Sequence, residues 1–253
     1  MVDRPVRERV STSSGGTASS GSGPGAITPD GCAVDFYAMM PARDEPEIID
    51  RAGPPNASIL ELGCGAGRVT HPLIALGHSV VAVDESPEML AHVRGARTVL
   101  ASIEGLDLGM SFDVVLLSSH LVNVPDDDQR AAFLAACARH VLDTGCVVIQ
   151  RHPLSWFDTL EPTRRSRPTG DGDPVTFVLD GISRPAPNLV AATAEYLVGE
   201  RHWTQTFVAR RLDDDSLRSA LAAVGLRLDD VYLTDDGAWV RAQPVAAMGA
   251  GAS

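Results

Sequence analysis

The 253-residue sequence contains no lysine; all 21 of its basic residues are arginine. That absence excludes several chemistries. A Walker-type phosphate loop places a lysine on the phosphates, and pyridoxal-phosphate enzymes and Schiff-base aldolases need its amine. Cysteine is sparse: Cys32, Cys64, Cys137 and Cys146, with no C-x-x-C pair. Neither disulfides nor structural zinc are expected, and the chain reads as a reduced, cytoplasmic protein. No apolar run reaches the roughly 18 to 20 residues of a membrane span, and the N-terminus lacks the apolar segment of a secretory leader. Acidic residues outnumber basic ones, 33 to 21, for a formal net charge of -12. A sequence-independent grip on nucleic acid needs the opposite balance, so neither nucleic acid nor membrane is an expected partner.

What is present is an ordinary globular composition, 44% hydrophobic and 21% charged. Residues 1–26, with "STSSGGTASSGSGPG", are too polar and glycine-rich to bury a core and are expected to be disordered. The rest, 27–253, reads as a single domain. "VDFYAMMPARDEPEIIDRA" predicts one or two helices with Phe36, Tyr37, Met40, Ile48 and Ile49 facing inward. Short apolar strands are predicted at 58–62, 79–84, 98–103, 112–119 and 146–152, and helices at 67–77, 86–95 and 125–145. Apolar strands alternating with helices predict an α/β fold, doubly wound around a mostly parallel sheet. After residue 152 the pattern breaks. A polar, flexible loop is expected at 164–174, then three antiparallel strands. Together 154–212 form a substrate-side loop and β-meander insertion. A helix at 213–226 and a closing strand pair complete the chain.

The stretch "SILELGCGAGRVTHPL" (58–73) sets three glycines, Gly63, Gly65 and Gly67, between a strand and a helix. Glycines there let a ligand approach the backbone and expose N–H groups. The spacing G-x-G-x-G differs from the G-x-G-x-x-G of dinucleotide sites. Two acids flank the loop, Glu61 and Asp84. An acid about twenty residues beyond the glycines suits the hydroxyls of a ribose, while Glu61 suits an ammonium and would repel a pyrophosphate. S-adenosylmethionine carries an ammonium, a sulfonium and a ribose, and no phosphate. A bare strand–helix turn and an NAD site are the competing readings.

"ILELGCGAGRVTHPLIALGHSVVAVDESPEML" resembles the first motif and following acidic loop of class I S-adenosylmethionine-dependent methyltransferases. "SFDVVLLSSHLVNVPDDDQRAAFLAACARHVLDTGCVVIQRHP" resembles their later motifs. The resemblance implies a Rossmann-like seven-stranded sheet with a small antiparallel insertion after strand five. It implies that Glu61 and the backbone of Gly63, Cys64, Gly65 and Gly67 hold the methionine part. Asp84 would hold the ribose, Glu85, Ser86 and Met89 would line the adenosine, Ser102 and Ile103 would meet adenine, and Ser118 would lie beside the methyl group. Tyr37 would cover the cofactor. The acidic, lysine-free chain with its short insertion is similar to tailoring methyltransferases of actinobacterial natural-product pathways, which act on small molecules as monomers or homodimers.

Methyl transfer needs alignment, and a base where the nucleophile must lose a proton. His120 and His152, at the ends of strands four and five, are candidates on the ligand-binding edge; structural or substrate-shaping roles compete with catalysis. In the insertion Glu195, Tyr196, His202, Trp203 and Gln205 alternate, so one parity faces the pocket. Tyr196 with Trp156 and Trp203 is a candidate aromatic wall for a planar or cationic acceptor; packing of the meander is the competing reading. The acid runs 126–128 and 213–215 read as helix caps. Asn123 and Asp126 lie near where a metal-dependent methyltransferase keeps its ligands, but strand five ends in Arg151 and His152, so no metal is expected. "SSHLVNVP" lacks the Asn/Asp-Pro-Pro-aromatic turn of nucleic-acid amino-methyltransferases. With no complete base dyad, nitrogen or carbon is favoured over oxygen as the acceptor atom. An NAD-dependent oxidoreductase, for which the Tyr-x-x-x-Lys mechanism is excluded, and a non-catalytic cofactor-binding module are the alternatives.

Overall fold

The computed structural model describes residues 9–10, 19–169 and 172–245. Two short strands, β1 (Arg9–Val10) and β2 (Ser20–Ser22), precede helices α1 (Val34–Tyr37) and α2 (Glu45–Ala52). The apolar runs then become β3 (Ser58–Leu62), β4 (Ser79–Asp84), β5 (Arg97–Leu100), β6 (Phe112–Leu117) and β7 (Val141–Gln150). Helices α3 (Thr70–Ala75), α4 (Pro87–Leu90) and α5 (Asp127–His140) lie between them. The chain continues through α6 (Leu154–Thr159), β8 (Thr163–Thr169), β9 (Gly172–Ala186), β10 (Leu189–Val198) and β11 (Arg201–Arg210), then α7 (Asp214–Ala223), β12 (Leu226–Leu228) and β13 (Trp239–Pro244).

Seven strands form one sheet in the order β12-β13-β7-β6-β3-β4-β5, in which β13 runs antiparallel to both its neighbours. Along β6 the side chains alternate between two apolar layers. Val115 and Leu117 pack with Leu60, Leu62, Phe133, Leu134 and Leu217, and Val114 and Leu116 pack with Ile48, Ile49, Ile59, Leu73 and Trp239. Both faces are thus covered, which is why these strands read as unbroken hydrophobic runs. The strand order reverses between β3 and β6, and such a reversal opens a crevice at the carboxyl ends of the strands. The expected doubly wound sheet is present.

Several boundaries differ from expectation. The helix expected at 86–95 ends at Leu90; Ser86 Oγ caps it by accepting the Met89 N–H at 3.1 Å. The helix expected to reach 145 stops at His140, and 141–145 joins β7, with Val141 paired to Phe112. Gly145 is pressed on β6 so closely that a Cβ there would lie 2.7 Å from the Asp113 carbonyl oxygen. The polar stretch from 164, expected as a loop, is an edge strand: Arg165 pairs with Phe177 and Arg167 with Val175. The expected meander of three strands is a six-stranded antiparallel sheet, β1-β2-β11-β10-β9-β8.

The largest correction concerns the N-terminal segment. Residues 19–26 are ordered, with Ser20 and Ser22 paired to Thr206 and Thr204 of β11. Their hydroxyls meet at 2.8 and 2.7 Å. Composition misled here because the glycines serve close backbone packing: a Cβ on Gly21 would lie 2.0 Å from the Gly31 carbonyl oxygen. Residues 1–8 and 11–18 of the segment expected to be disordered, and the tail beyond 245, lie outside the described residues.

Candidate active site

The glycine loop leaves β3 at its carboxyl end. Gly63, Gly65 and Gly67 adopt φ of 69°, 55° and 84°, a region that side chains with a Cβ rarely enter. A Cβ on Gly63 would also sit 2.7 Å from Leu121 Cδ1. The Cys64 N–H donates to the Val83 carbonyl at 2.9 Å, and the Gly65 N–H donates to Asp84 Oδ2 at 2.8 Å. Burial raises the Cys64 thiol pKa far above its usual range, so this residue offers its backbone and no thiolate.

The two acids differ in setting. Glu61 is 1% exposed; its Oε2 accepts the Thr70 hydroxyl at 2.6 Å. Burial pushes its carboxyl up to about 7, against the opposing pull of Thr70 and Arg68. Asp84 accepts one backbone N–H on each oxygen, from Gly65 and from Ser86, the latter at 2.9 Å. A carboxylate has about four lone-pair sites, so each oxygen keeps room for a further donor. Burial raises Asp84 as well. Glu85 is raised by burial and by the charges of Asp30, Glu104 and Asp84. The crevice is thus acidic, with Arg68 the cation that acts on Glu61.

The other residues named for this site gather around it. Met89 is buried in one apolar cluster with Val34 and Ala66, and Tyr37 packs against it, so α1 packs beside the loop. The Tyr37 hydroxyl donates to Gln205 Oε1 at 3.2 Å, joining α1 to the insertion. Ile103 Cδ1 lies 3.9 Å from where a Gly63 Cβ would be. Ser118 is buried at the end of β6. Ser102 is exposed and its hydroxyl is bonded to Glu104. A buried and a half-buried carboxylate, a glycine loop and apolar walls form a set that could hold S-adenosylmethionine, with Glu61 to meet its ammonium, Asp84 its ribose, and Met89 and Ile103 the rest.

Beyond β6 the chain makes a left-handed turn, with φ of 55° at Ser119 and 61° at His120. The His120 ring stacks on His152 at 3.8 Å and 12°, and His152 stacks on Trp156 at 3.9 Å and 11°. Burial lowers the pKa of His120 to about 4. Burial, then the neighbouring His120, lowers that of His152 to about 2. Both rings are neutral at pH 7. They line a cleft of about 720 Å³ with Arg43, Trp156, Phe177 and Asp235, large enough for a small ligand.

The expected aromatic wall of Trp156, Tyr196 and Trp203 does not form. Trp156 faces the cleft, whereas Trp203 is 0% exposed, donates its indole N–H to the Pro24 carbonyl at 2.8 Å, and packs with Phe36. It cannot touch a substrate. Tyr196 stacks on Phe36 with centroids 4.0 Å apart, and reaches toward the cleft only through Phe177, at 5.7 Å. Glu195 and His202 pair with each other at 2.9 Å. Sequence reasoning named Asn123 and Arg151 only in weighing a metal site and missed their structural roles. Asn123 accepts the His152 N–H at 2.8 Å and donates to the Arg210 carbonyl at 2.9 Å, so its amide is spent on joining β7 to β11. Arg151, 2% exposed, donates to the Gly237 carbonyl at 2.9 Å and pairs with Asp214 at 2.7 Å. An arginine ending an apolar strand was the available signal. Asp126 and Asp213 cap α5 and α7 as expected.

The methyltransferase domain family matches residues 59–145. An uncharacterized methyltransferase of Mycobacterium tuberculosis (strain H37Rv) is 30% identical over 202 residues, 73% of this chain and 73% of its own length. Ubiquinone biosynthesis O-methyltransferase of Rhodopseudomonas palustris (strain BisA53) is 29% identical over 106 residues, 39% of this chain and 41% of its own. The chain spans less than half the length of the curated relatives it first matches. Among solved structures, the sugar N-methyltransferase KedS8 from Streptoalloteichus sp. superposes with a TM-score of 0.65 at 22% identity, covering 87% of this chain and 97% of that one. The chain belongs to the S-adenosylmethionine-dependent methyltransferases. No helix among the described residues is long and apolar enough to cross a membrane.

Proposed function

We propose that this protein transfers the methyl group of S-adenosylmethionine to a small-molecule acceptor, with nitrogen or carbon favoured over oxygen, in natural-product biosynthesis in the cytoplasm. The observation that supports it is the pair of acids flanking the glycine loop, the buried Glu61 and the half-buried Asp84, next to a cleft walled by neutral rings. The acids favour a cationic, ribose-bearing donor and oppose the pyrophosphate of NAD. The bound donor supplies an electrophilic methyl on a sulfonium. The chain's own residues supply alignment: Tyr37 and α1 cover the donor side, and His120 and His152 shape the acceptor side.

In this reading residues 27–253 work as one catalytic unit, 154–212 forms the acceptor side, and no metal or nucleic acid takes part. Histidines held near pKa 4 and 2 are poor acceptors of a hydroxyl proton at pH 7, which supports nitrogen or carbon over oxygen. KedS8, of the same fold, is a sugar N-methyltransferase. Calorimetry with S-adenosylhomocysteine and with NAD is the first test: tight binding of the former alone is expected, and binding of NAD alone would overturn the proposal. Transfer of label from S-adenosylmethionine to candidate amines separates an enzyme from a binding module.

A further inference from the structure

Three rings form one column: His120 from the turn after β6, His152 from the end of β7, and Trp156 from α6, the first helix of the insertion. They stack nearly parallel, at 3.8 and 3.9 Å. Phe157 meets the edges of His152 and Trp156, at 5.9 and 4.8 Å. His120 Nδ1 is buried with no hydrogen-bond partner among the described residues. An imidazolium needs an acceptor at each nitrogen, so a proton on that buried atom would be left unpaired. His152 covers one face of the His120 ring, and Trp156 covers the far face of His152. Removing Trp156 would admit water to the column.

We propose that Trp156 is a positioning residue for the acceptor site: through His152 it holds His120 flat and uncharged at the cleft wall, and so selects an amine that arrives unprotonated over a hydroxyl. This rests on the cleft being the acceptor site. An unprotonated amine attacks without prior loss of a proton. Its lone pair forms the new N–C bond, the electrons of the breaking C–S bond stay on sulfur, and the ammonium product releases its proton to water. A hydroxyl would need a base far stronger than this ring.

The groups facing His120 do not undo this. Glu45 and Arg68 pair with each other at 2.5 Å, a hydrogen bond from the ring to the Arg151 backbone carbonyl favours the charged form but is outweighed by burial, and Arg43, Asp44, Asp235 and Asp236 line the open cleft, where water screens them. His152, the closest group, is itself uncharged, and a charge on His120 would lower the proton affinity of His152 further.

The test is a ¹⁵N-histidine NMR titration of the full chain saturated with S-adenosylhomocysteine, with Trp156→Leu and Trp156→Phe variants; His120→Gln and His152→Gln assign the resonances. In the wild type both rings are expected to stay neutral down to pH 5. Trp156→Leu is expected to raise the proton affinity of both at least tenfold, and Trp156→Phe to restore most of the wild-type behaviour. A wild-type His120 already protonated at pH 6 overturns the proposal without any variant. So does a Trp156→Leu protein that keeps donor-product affinity while neither ring moves. Failure of the wild type to bind S-adenosylhomocysteine would instead sink the methyltransferase reading itself.

Discussion

Glu61→Gln isolates the tension in the donor site. The native carboxyl is held in a dry place beside Thr70, with its pKa raised from about 4.5 to about 7. At about 1.4 kcal/mol per pH unit, that difference amounts to about 3 kcal/mol. The sign follows from the direction. Folding raises the pKa, so the stability linked to Glu61 is present in full below about pH 4.5 and is lost as pH rises through about 7. Glutamine keeps the hydrogen bond from Thr70 and carries no charge. The ligand-free variant should therefore gain stability over the wild type between pH 5 and pH 8, by roughly 2–3 kcal/mol, in urea denaturation. Affinity for the ammonium-bearing product S-adenosylhomocysteine should move the other way. Losing a charged partner costs about 1.5–3 kcal/mol, or roughly 10- to 150-fold. Wild-type affinity should weaken below pH 7 as Glu61 takes up a proton, while that of the variant stays flat over the same range. A stability difference independent of pH, or a variant that binds S-adenosylhomocysteine as tightly as wild type at pH 8, would refute the reasoning.

Asp84→Asn should lower S-adenosylhomocysteine affinity roughly 10- to 150-fold in calorimetry, since hydrogen bonds to a charged acceptor are worth about 1.5–3 kcal/mol; unchanged affinity would remove Asp84 from the donor site. Asn123→Ala leaves the His152 N–H and the Arg210 carbonyl unpaired, and urea denaturation should show a loss of about 2–4 kcal/mol; a loss under 0.5 would mean water replaces the amide at no cost. Arg151→Met strips the Gly237 carbonyl and Asp214 of their buried partner. Because Asp214 is partly solvated, a loss of about 2–3 kcal/mol is expected, below the full figure for a broken buried pair, and an unchanged midpoint would refute it.

The sheet was legible because its strands are short, apolar and covered on both faces, a pattern that depends only on nearest neighbours in sequence. The grouping of the proposed donor-site residues was legible for a related reason: Glu61, the three glycines and Asp84 all lie within one β-α-β unit, at fixed spacings. What failed required distance. Trp203 and Trp156 look alike in sequence, yet one is sealed by Pro24, 179 positions away, and the other stands on a cleft. Ser20–Ser22 reads as a linker until β11 supplies its partner, and residues 141–145 read as the end of a helix until β6 takes them. The stacked column was hidden because His120 and His152 are 32 positions apart and their facing depends on a left-handed turn.

The strand Ser20–Ser22 ties the beginning of the described chain to the edge of the inserted sheet, and the lid helix behind it touches both the glycine loop and Gln205. The proposed donor cover and acceptor wall are therefore joined by direct contacts. Anyone exchanging this insertion with that of another enzyme to redirect acceptor choice must transplant residues 19–37 along with 154–212, since either piece alone would leave the indole of Trp203 bare and the lid without an anchor.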